Sequence, residues 1–382
     1  MKKKIYYWSP YLNPVGTVKS TINSAVAAVK YSRNTFDVSI INACGEWDEH
    51  AQYLRENNVK IINFNLKMFN KLPKQGYFQS RISYVLIFIA SFFPLYKLLK
   101  NHRPDFFIAH LITSLPLTLM KIFNFKTKFI LRISGKPNLN FIRKIFWSFA
   151  SNKLYLVTCP TDELKEKILK INIFSKEKVH LLHDAIIDVK KYFKDIKESV
   201  EIPKNFKEKK VIFAAGRLTK QKNFNYLIDE FANFAKKNND YTLYILGEGE
   251  ERGTLEKKIN QKKLNEKVYL LGFVNNVFKY FKKGDLFVLS SIWEDPGFVL
   301  VEAALCNLFV ISSNCPNGPK EILNYGENGI LFQSNKPGEL EKGLKKYSLL
   351  ENTFLKRVRI KKNIRNYTKF KHYTNLSKIL SY

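Results

Sequence analysis

The chain is constrained most by a pattern that starts over halfway along it. Short runs rich in Val, Ile, Leu and Phe stand at 5–9, 38–42, 59–64, 105–110, 129–133 and 154–159, separated by stretches with helical spacing. A polar and charged interval at 187–210, including Pro203, interrupts them. The alternation then resumes with runs at 211–215, 242–246, 268–271, 285–289 and 308–312. Continuous apolar runs of this kind are strands buried on both faces, and their alternation with helices points to βαβ units and parallel sheets. A chain of 382 residues suits two domains at roughly 100–200 residues each. The expected fold class is therefore α/β, with two doubly wound domains facing each other across a cleft. The first domain is expected over 1–188, the second over 189–362, and a terminal helix at 363–382 packing back on the first. Ligands of such sheets bind beyond the carboxyl ends of the strands, so the cleft is the expected site.

Composition bears on partners rather than on the fold. The net charge is +31, from 64 Lys and Arg against 33 Asp and Glu. Nucleic acid, an anionic membrane face, phosphorylated small molecules and a merely solvated basic surface are all compatible with it. No nucleic-acid-binding module is present and the cations are not gathered on one helix or arm, so no specific nucleic-acid partner is expected. Cys44, Cys159, Cys306 and Cys315 lie far apart or in apolar runs, which offers neither zinc spacing nor a disulfide framework and fits a reducing compartment. The opening Met1-Lys2-Lys3-Lys4-Ile5-Tyr6-Tyr7-Trp8 soon meets Pro10 and Pro14, and reads as a first strand rather than a signal peptide. The segment 82–99 is strongly apolar with Arg81, Lys97 and Lys100 at its flanks. It is shorter than the ~20 residues of a membrane span, and Pro94 interrupts it. A buried core helix and a helix lying among lipid headgroups both fit.

Three constellations carry chemistry. After the run at 285–289 come Ser290-Ser291-Ile292-Trp293-Glu294-Asp295-Pro296-Gly297, and then an apolar helix from Phe298. Pro296 and Gly297 mark the turn into that helix. Glu294 belongs to the loop and Glu302 to the helix. The free N–H groups at the helix start, around Gly297, Phe298, Val299 and Leu300, form an anion site. Two carboxylates flanking an anion site suit a ligand with both phosphates and hydroxyls, such as a nucleotide sugar. A solvated loop glutamate and a solvated helix glutamate are the ordinary alternative. The second constellation follows the run at 211–215, where Gly216 ends the strand and the loop presents Arg217 and Lys222. A guanidinium fork and an ammonium at one strand end suit a diphosphate, unless they are surface charges of a basic protein. The third is Gly247-Glu248-Gly249, which lacks a full dinucleotide fingerprint.

Taken in order, Arg217 and Lys222, the Gly247-Glu248-Gly249 turn, the Glu294–Glu302 pair, Gly318-Pro319-Lys320-Glu321 and Glu327-Asn328-Gly329 resemble family 4 of the glycosyltransferases. These are retaining enzymes with the GT-B fold of two Rossmann-like domains. The resemblance is specific over about 210–335. It implies that Glu302 binds the donor ribose and Glu294 the transferred sugar. Arg217 and Lys222 would neutralise the departing diphosphate, and backbone N–H groups at Gly297–Leu300 would hold phosphate and sugar oxygens. Gly272 and Phe273 would lie near the base. In the first half, Gly16, within Asn13-Pro14-Val15-Gly16-Thr17, would face the donor phosphates. His110, at the end of the run 105–110, would face the donor sugar, although a lone histidine is as readily structural. Arg132 would serve donor or acceptor. The linker His183-Asp184-Ala185-Ile186-Ile187-Asp188 departs from the family's glycine-containing turn.

The implied activity is retaining transfer of a hexose or N-acetylhexosamine from a nucleotide sugar, with UDP the expected nucleotide. No metal and no cofactor are expected, since the basic pair and helix dipole would take the metal's role. A basic chain with an apolar first-domain segment suggests a saccharide acceptor carried on polyprenyl diphosphate. It also suggests a cytoplasmic location, peripheral on the anionic inner leaflet, in lipopolysaccharide or O-antigen assembly. The rivals are a basic nucleic-acid- or membrane-binding protein, an inert sugar-nucleotide-binding scaffold, and a phosphorylase or epimerase on the same fold.

Overall fold

The computed structural model describes residues 2–11, 16–66, 77–137, 139–200 and 210–381. It divides into two compact units, Met1–Ala185 with Lys369–Tyr382, and Ile186–Thr368.

The first unit is built on seven strands, β1 (Lys3–Trp8), β2 (Phe36–Asn42), β3 (Lys60–Asn63), β4 (Phe106–Ala109), β5 (Lys128–Arg132), β6 (Leu156–Cys159) and β7 (Val179–Leu181). They form one parallel sheet in the order β3-β2-β1-β4-β5-β6-β7. The connecting helices are α1 (Gly16–Tyr31), α2 (Ala51–Glu56), α3 (Tyr77–His102), α4 (Ser114–Ile122), α5 (Phe141–Ser151) and α6 (Asp162–Leu169). The order grows from β1 in both directions. Right-handed crossovers therefore put α1 and α2 on one face and α3 to α6 on the other. The two cores agree. Ile22, Val26 and Leu54 pack on one side, and Leu95, Leu119, Trp147 and Leu164 on the other. The C-terminal helix, Lys369–Leu380, adds Leu376, Ile379 and Leu380 to the α1 side.

The second unit opens with α7 (Val189–Asp195). Its strands are β8 (Lys210–Ala215), β9 (Tyr241–Leu246), β10 (Val268–Leu270), β11 (Leu286–Leu289), β12 (Phe309–Ser313) and β13 (Ile330–Phe332). Its remaining helices are α8 (Phe224–Ala235), α9 (Arg252–Gln261), α10 (Phe278–Phe281), α11 (Phe298–Leu305), α12 (Pro319–Ile322), α13 (Glu339–Ser348) and α14 (Phe354–Asn363). The parallel order is β10-β9-β8-β11-β12-β13. The switch in strand order falls between β8 and β11, and so do the carboxyl ends that carry the motifs. In the first unit it falls between β1 and β4.

Both sheets are the doubly wound Rossmann-like kind expected. The sequence reading found the three-residue edge strand β10 but not β7 and β13, which are equally short. The chain leaves the first unit at Ala185 and returns after Thr368. The two crossings lie side by side, with the Ile186 and Ile187 N–H groups donating to Tyr367 O at 2.8 and 2.9 Å.

The apolar segment at 82–99 belongs to α3, and one side of it is the core helix expected. Ile87, Leu95, Leu98 and Leu99 enter the core, while Ile82, Val85, Ile89 and Phe93 on the opposite side stay exposed. By length and composition alone, Ile82–His102 could cross a membrane.

Candidate functional site: the β8 and β11 strand ends

Gly216 closes β8 with φ +153°. A Cβ here would stand 2.9 Å from Lys222 Cε, so the absence of a side chain lets the lysine stem lie flat on the backbone. Lys222 then reaches across to the loop after β11, where Nζ meets Glu294 Oε1 at 2.6 Å. Ser291 Oγ donates to the same oxygen at 2.6 Å. The two loops are laced further. Ile292 N–H donates to Gln221 O at 2.9 Å, Gln221 Nε2 to Trp293 O at 2.9 Å, and Ser290 Oγ to Lys222 O at 2.7 Å. Both charged side chains are largely withdrawn from water, at 14% and 6% exposure. Desolvated charges need a close partner, and here each supplies the other's.

Glu294 is fixed from a third side, its N–H donating to Pro316 O at 3.2 Å, while Asn317 Nδ2 donates to Asp295 Oδ1 at 3.1 Å. Gly297 then caps α11 in the left-handed region, φ +100°. Phe298 and Val299 are half-buried, and Leu300 is buried and turns its N–H to Gly297 O at 3.1 Å. The N–H groups of a first helical turn have no acceptor within the helix, and the helix dipole adds positive potential there. Glu302 is buried one turn further along. Arg217 is exposed, and its guanidinium has no hydrogen bond or ion pair among the described residues. The start of α11, an exposed guanidinium and a carboxylate–ammonium pair therefore share the strand-order switch.

Gly247 supports this arrangement from below. A Cβ there would fall 1.9 Å from Gly216 O, so only glycine lets the β8 and β9 loops touch backbone to backbone. Its N–H donates to Gly272 O at 2.8 Å, which brings in the loop after β10. Phe273 beside it is a large exposed ring. Glu248 pairs with Arg252.

The first-unit residues divide differently. Gly16 opens α1 and is exposed, while 12–15, with most of the expected phosphate-facing loop, lie outside the described residues. His110 follows β4 and is buried, with Nδ1 3.1 Å from Thr21 Oγ1. Burial, reinforced by the charges of Arg132 and His372, holds its imidazole well below the usual range, so it is neutral near pH 7. Arg132, expected to serve donor or acceptor, is buried, with Nη2 on Asp184 Oδ1 at 2.5 Å and Nη1 on Leu182 O at 2.7 Å. Ser20 also donates to Asp184. The guanidinium neutralises an internal carboxylate at the end of the first unit. Ser20, Ser24, His110, Arg132, Asp184 and His372 all line one small cavity. His372, on the C-terminal helix, meets Ser24 Oγ at 2.8 Å and His183 O at 2.6 Å. Sequence reading missed Ser291, Asp184 and His372. Only the serine left a signal, as the second of two serines that follow a buried strand.

Two parallel Rossmann-like sheets with these strand orders define a protein of the GT-B fold class. The model for "Glycosyl transferases group 1" matches residues 195–367. An uncharacterized glycosyltransferase of Methanocaldococcus jannaschii is 31% identical over 305 residues, 71% of each chain. The chain belongs to this glycosyltransferase family. It is 28% identical over 246 residues to the Campylobacter jejuni N-acetylgalactosamine-N,N'-diacetylbacillosaminyl-diphospho-undecaprenol 4-alpha-N-acetylgalactosaminyltransferase, covering 62% of this chain and 64% of that one. The crystal structure of Anabaena HepE in complex with UDP superposes over 100% of both chains with a TM-score of 0.70 at 17% identity, a likeness of fold.

Proposed function

We propose that the chain is a retaining, metal-independent transferase of family 4 that moves a hexose or N-acetylhexosamine from a UDP-sugar to a saccharide carried on polyprenyl diphosphate. It would work in the cytoplasm, peripheral on the anionic inner leaflet, in surface polysaccharide assembly such as that of lipopolysaccharide O-antigen. The observation that carries this is the Lys222–Glu294 pair at the β8 and β11 strand ends, beside the start of α11.

Lys222 and Arg217 accept the charge that develops on the diphosphate, and the first-turn N–H groups of α11 hold its oxygens. Glu294 accepts hydrogen bonds from the transferred sugar, and Glu302 from the ribose. Phe273 and Gly272 flank the base. The anomeric C–O bond to phosphate breaks with its electron pair going to the diphosphate. The acceptor oxygen bonds the anomeric carbon from the same face, and its proton passes to the leaving phosphate oxygen. No protein nucleophile is required. The Campylobacter relative supports the acceptor class, since its name specifies a diphospho-undecaprenol-linked substrate. HepE supports the donor class, having been crystallised with UDP.

The test is a thermal-shift and turnover screen against UDP-, GDP- and ADP-sugars with and without chelator. It is followed by NMR of the anomeric configuration of the glycoside formed on a short-chain lipid diphosphate acceptor. Stabilisation by UDP-sugars, insensitive to chelator, with a retained configuration is the expected result. An inverted product, or binding of nucleotide sugars with no glycoside formed, would sink the reading.

A further inference from the structure

The first unit carries apolar surface that its core does not use. Helices α3, α4 and α5 share one face of the sheet, and α4 packs against both of the others. On α3, Ile82, Val85, Ile89 and Phe93 recur every three or four residues on the solvent side, with Phe93 68% exposed. On α5, Phe141, Ile145 and Phe149 recur every fourth residue, with Phe141 77% exposed, while Trp147 and Ala150 turn inward. Ile122 at the end of α4 is also exposed, and Lys121 sets Nζ 4.0 Å from the Phe149 ring centroid. Large side chains grouped on neighbouring helices in this way mark an interaction surface rather than ordinary scatter.

The charge around this surface is one-sided. Between Glu56 and Asp162 the chain holds sixteen Lys and Arg and a single acidic residue, Asp105. Asp105 is already engaged by the Lys4 N–H at 2.7 Å. No carboxylate lies on α3, α4 or α5. Lys97 and Lys100 continue the exposed side of α3, and Arg143 and Lys144 are exposed on α5. An apolar face with cations and no anions fits an anionic bilayer surface, where acyl chains take the apolar stripes and headgroups the cations.

We propose that this face of the first unit docks in the headgroup region of an anionic bilayer, with α3 and α5 lying in the interface. The helix α3 does not span, because the core claims Leu95, Leu98 and Leu99 from its second half. The purpose of docking rests on the lipid-linked acceptor proposed above, but its geometry does not.

The experiment is co-sedimentation of the full chain with phosphatidylglycerol–phosphatidylcholine vesicles and with pure phosphatidylcholine vesicles, across a salt series. The wild type is expected to partition at least about tenfold better onto the anionic vesicles at low salt and to be released as salt rises. The triple variant F141Q/I145Q/F149Q should lose tenfold or more of that partition. R143Q/K144Q should lose about fivefold per charge. All these side chains are exposed, so thermal midpoints and vesicle-free hydrolysis of the nucleotide sugar should not change. Equal binding by the α5 variants overturns the inference and leaves the proposed reaction standing. Docking as expected but without any glycosyl transfer overturns the reaction and leaves the surface standing. Failure of the wild type to bind any vesicle overturns the surface, as does a dimer in analytical ultracentrifugation that F141Q/I145Q/F149Q dissociates without affecting vesicle binding.

Discussion

Lys222 and Glu294 are too deeply buried for either to be removed alone without consequence. Breaking a buried ion pair from one side leaves an uncompensated charge and costs about 3–5 kcal/mol, and these side chains are 14% and 6% exposed. Lys222→Ala is therefore expected to lower both turnover and the thermal midpoint, and adding Glu294→Ala should return part of the midpoint. Arg217 has no side-chain partner to strand among the described residues, so Arg217→Ala should cut turnover about a hundredfold or more with an unchanged melting curve. Differential scanning fluorimetry beside a turnover assay separates the two cases. A large loss of midpoint in Arg217→Ala would contradict its assignment as a free phosphate ligand. A neighbouring residue offers a direct reading of the site. Of the four tryptophans, Trp8, Trp47 and Trp147 are buried in the first unit, and Trp293 is 45% exposed beside Glu294. Nucleotide-sugar titration should shift the tryptophan emission, and Trp293→Phe should abolish the shift while binding remains measurable by calorimetry.

At the scale of elements, the C-terminal helix is held by a histidine in an unusual state. Burial pulls His372 down to about 4, with Arg132 adding to the effect and the His183 carbonyl opposing it. Asp184, His183, Arg132 and Ser24 surround it. Between an ordinary 6.5 and about 4 the unfolded chain binds a proton there that the folded chain does not. Stability rises with pH wherever the unfolded state binds more protons, so it falls as pH drops through that window, by about 3 kcal/mol at most for this group. His110 acts in the same direction. Glu46 acts oppositely, since burial pushes it up to about 7, so its contribution is present at low pH and lost as pH rises toward 7. His372→Gln should therefore flatten the loss of thermal midpoint between pH 7 and pH 5 relative to wild type. An equally steep loss would show that His372 is not the group responsible. The same helix shows what the sequence made legible. The buried strands and the Arg217, Lys222 and Glu294 positions could be read locally, because runs and motifs are contiguous. The true partner of Arg132, Asp184, stands 52 residues away, and no local pattern announces such a pairing. The acid-poor tract around α3 and α5 was present in the sequence, but the total charge hid it.

For the molecule as a whole, each unit has its own buried clusters on both faces of its own sheet. A ligand confined to the second unit should raise the stability of that unit by about 2.7 kcal/mol at a hundred times its Kd. Calorimetry with UDP should then move one part of the unfolding endotherm more than the rest, and a uniform shift would mean that the two units unfold as one. The second unit is continuous in sequence, whereas the first is not, because Lys369–Tyr382 belongs to it. Translation exposes that difference in time. The second unit can close as soon as Thr368 clears the ribosome, but the first must wait, with its α1 side uncovered, while the whole of the second is synthesised. The unit made first is thus the last to be finished, and the nascent chain must shield Ile22 and Val26 until Leu376 and Ile379 arrive.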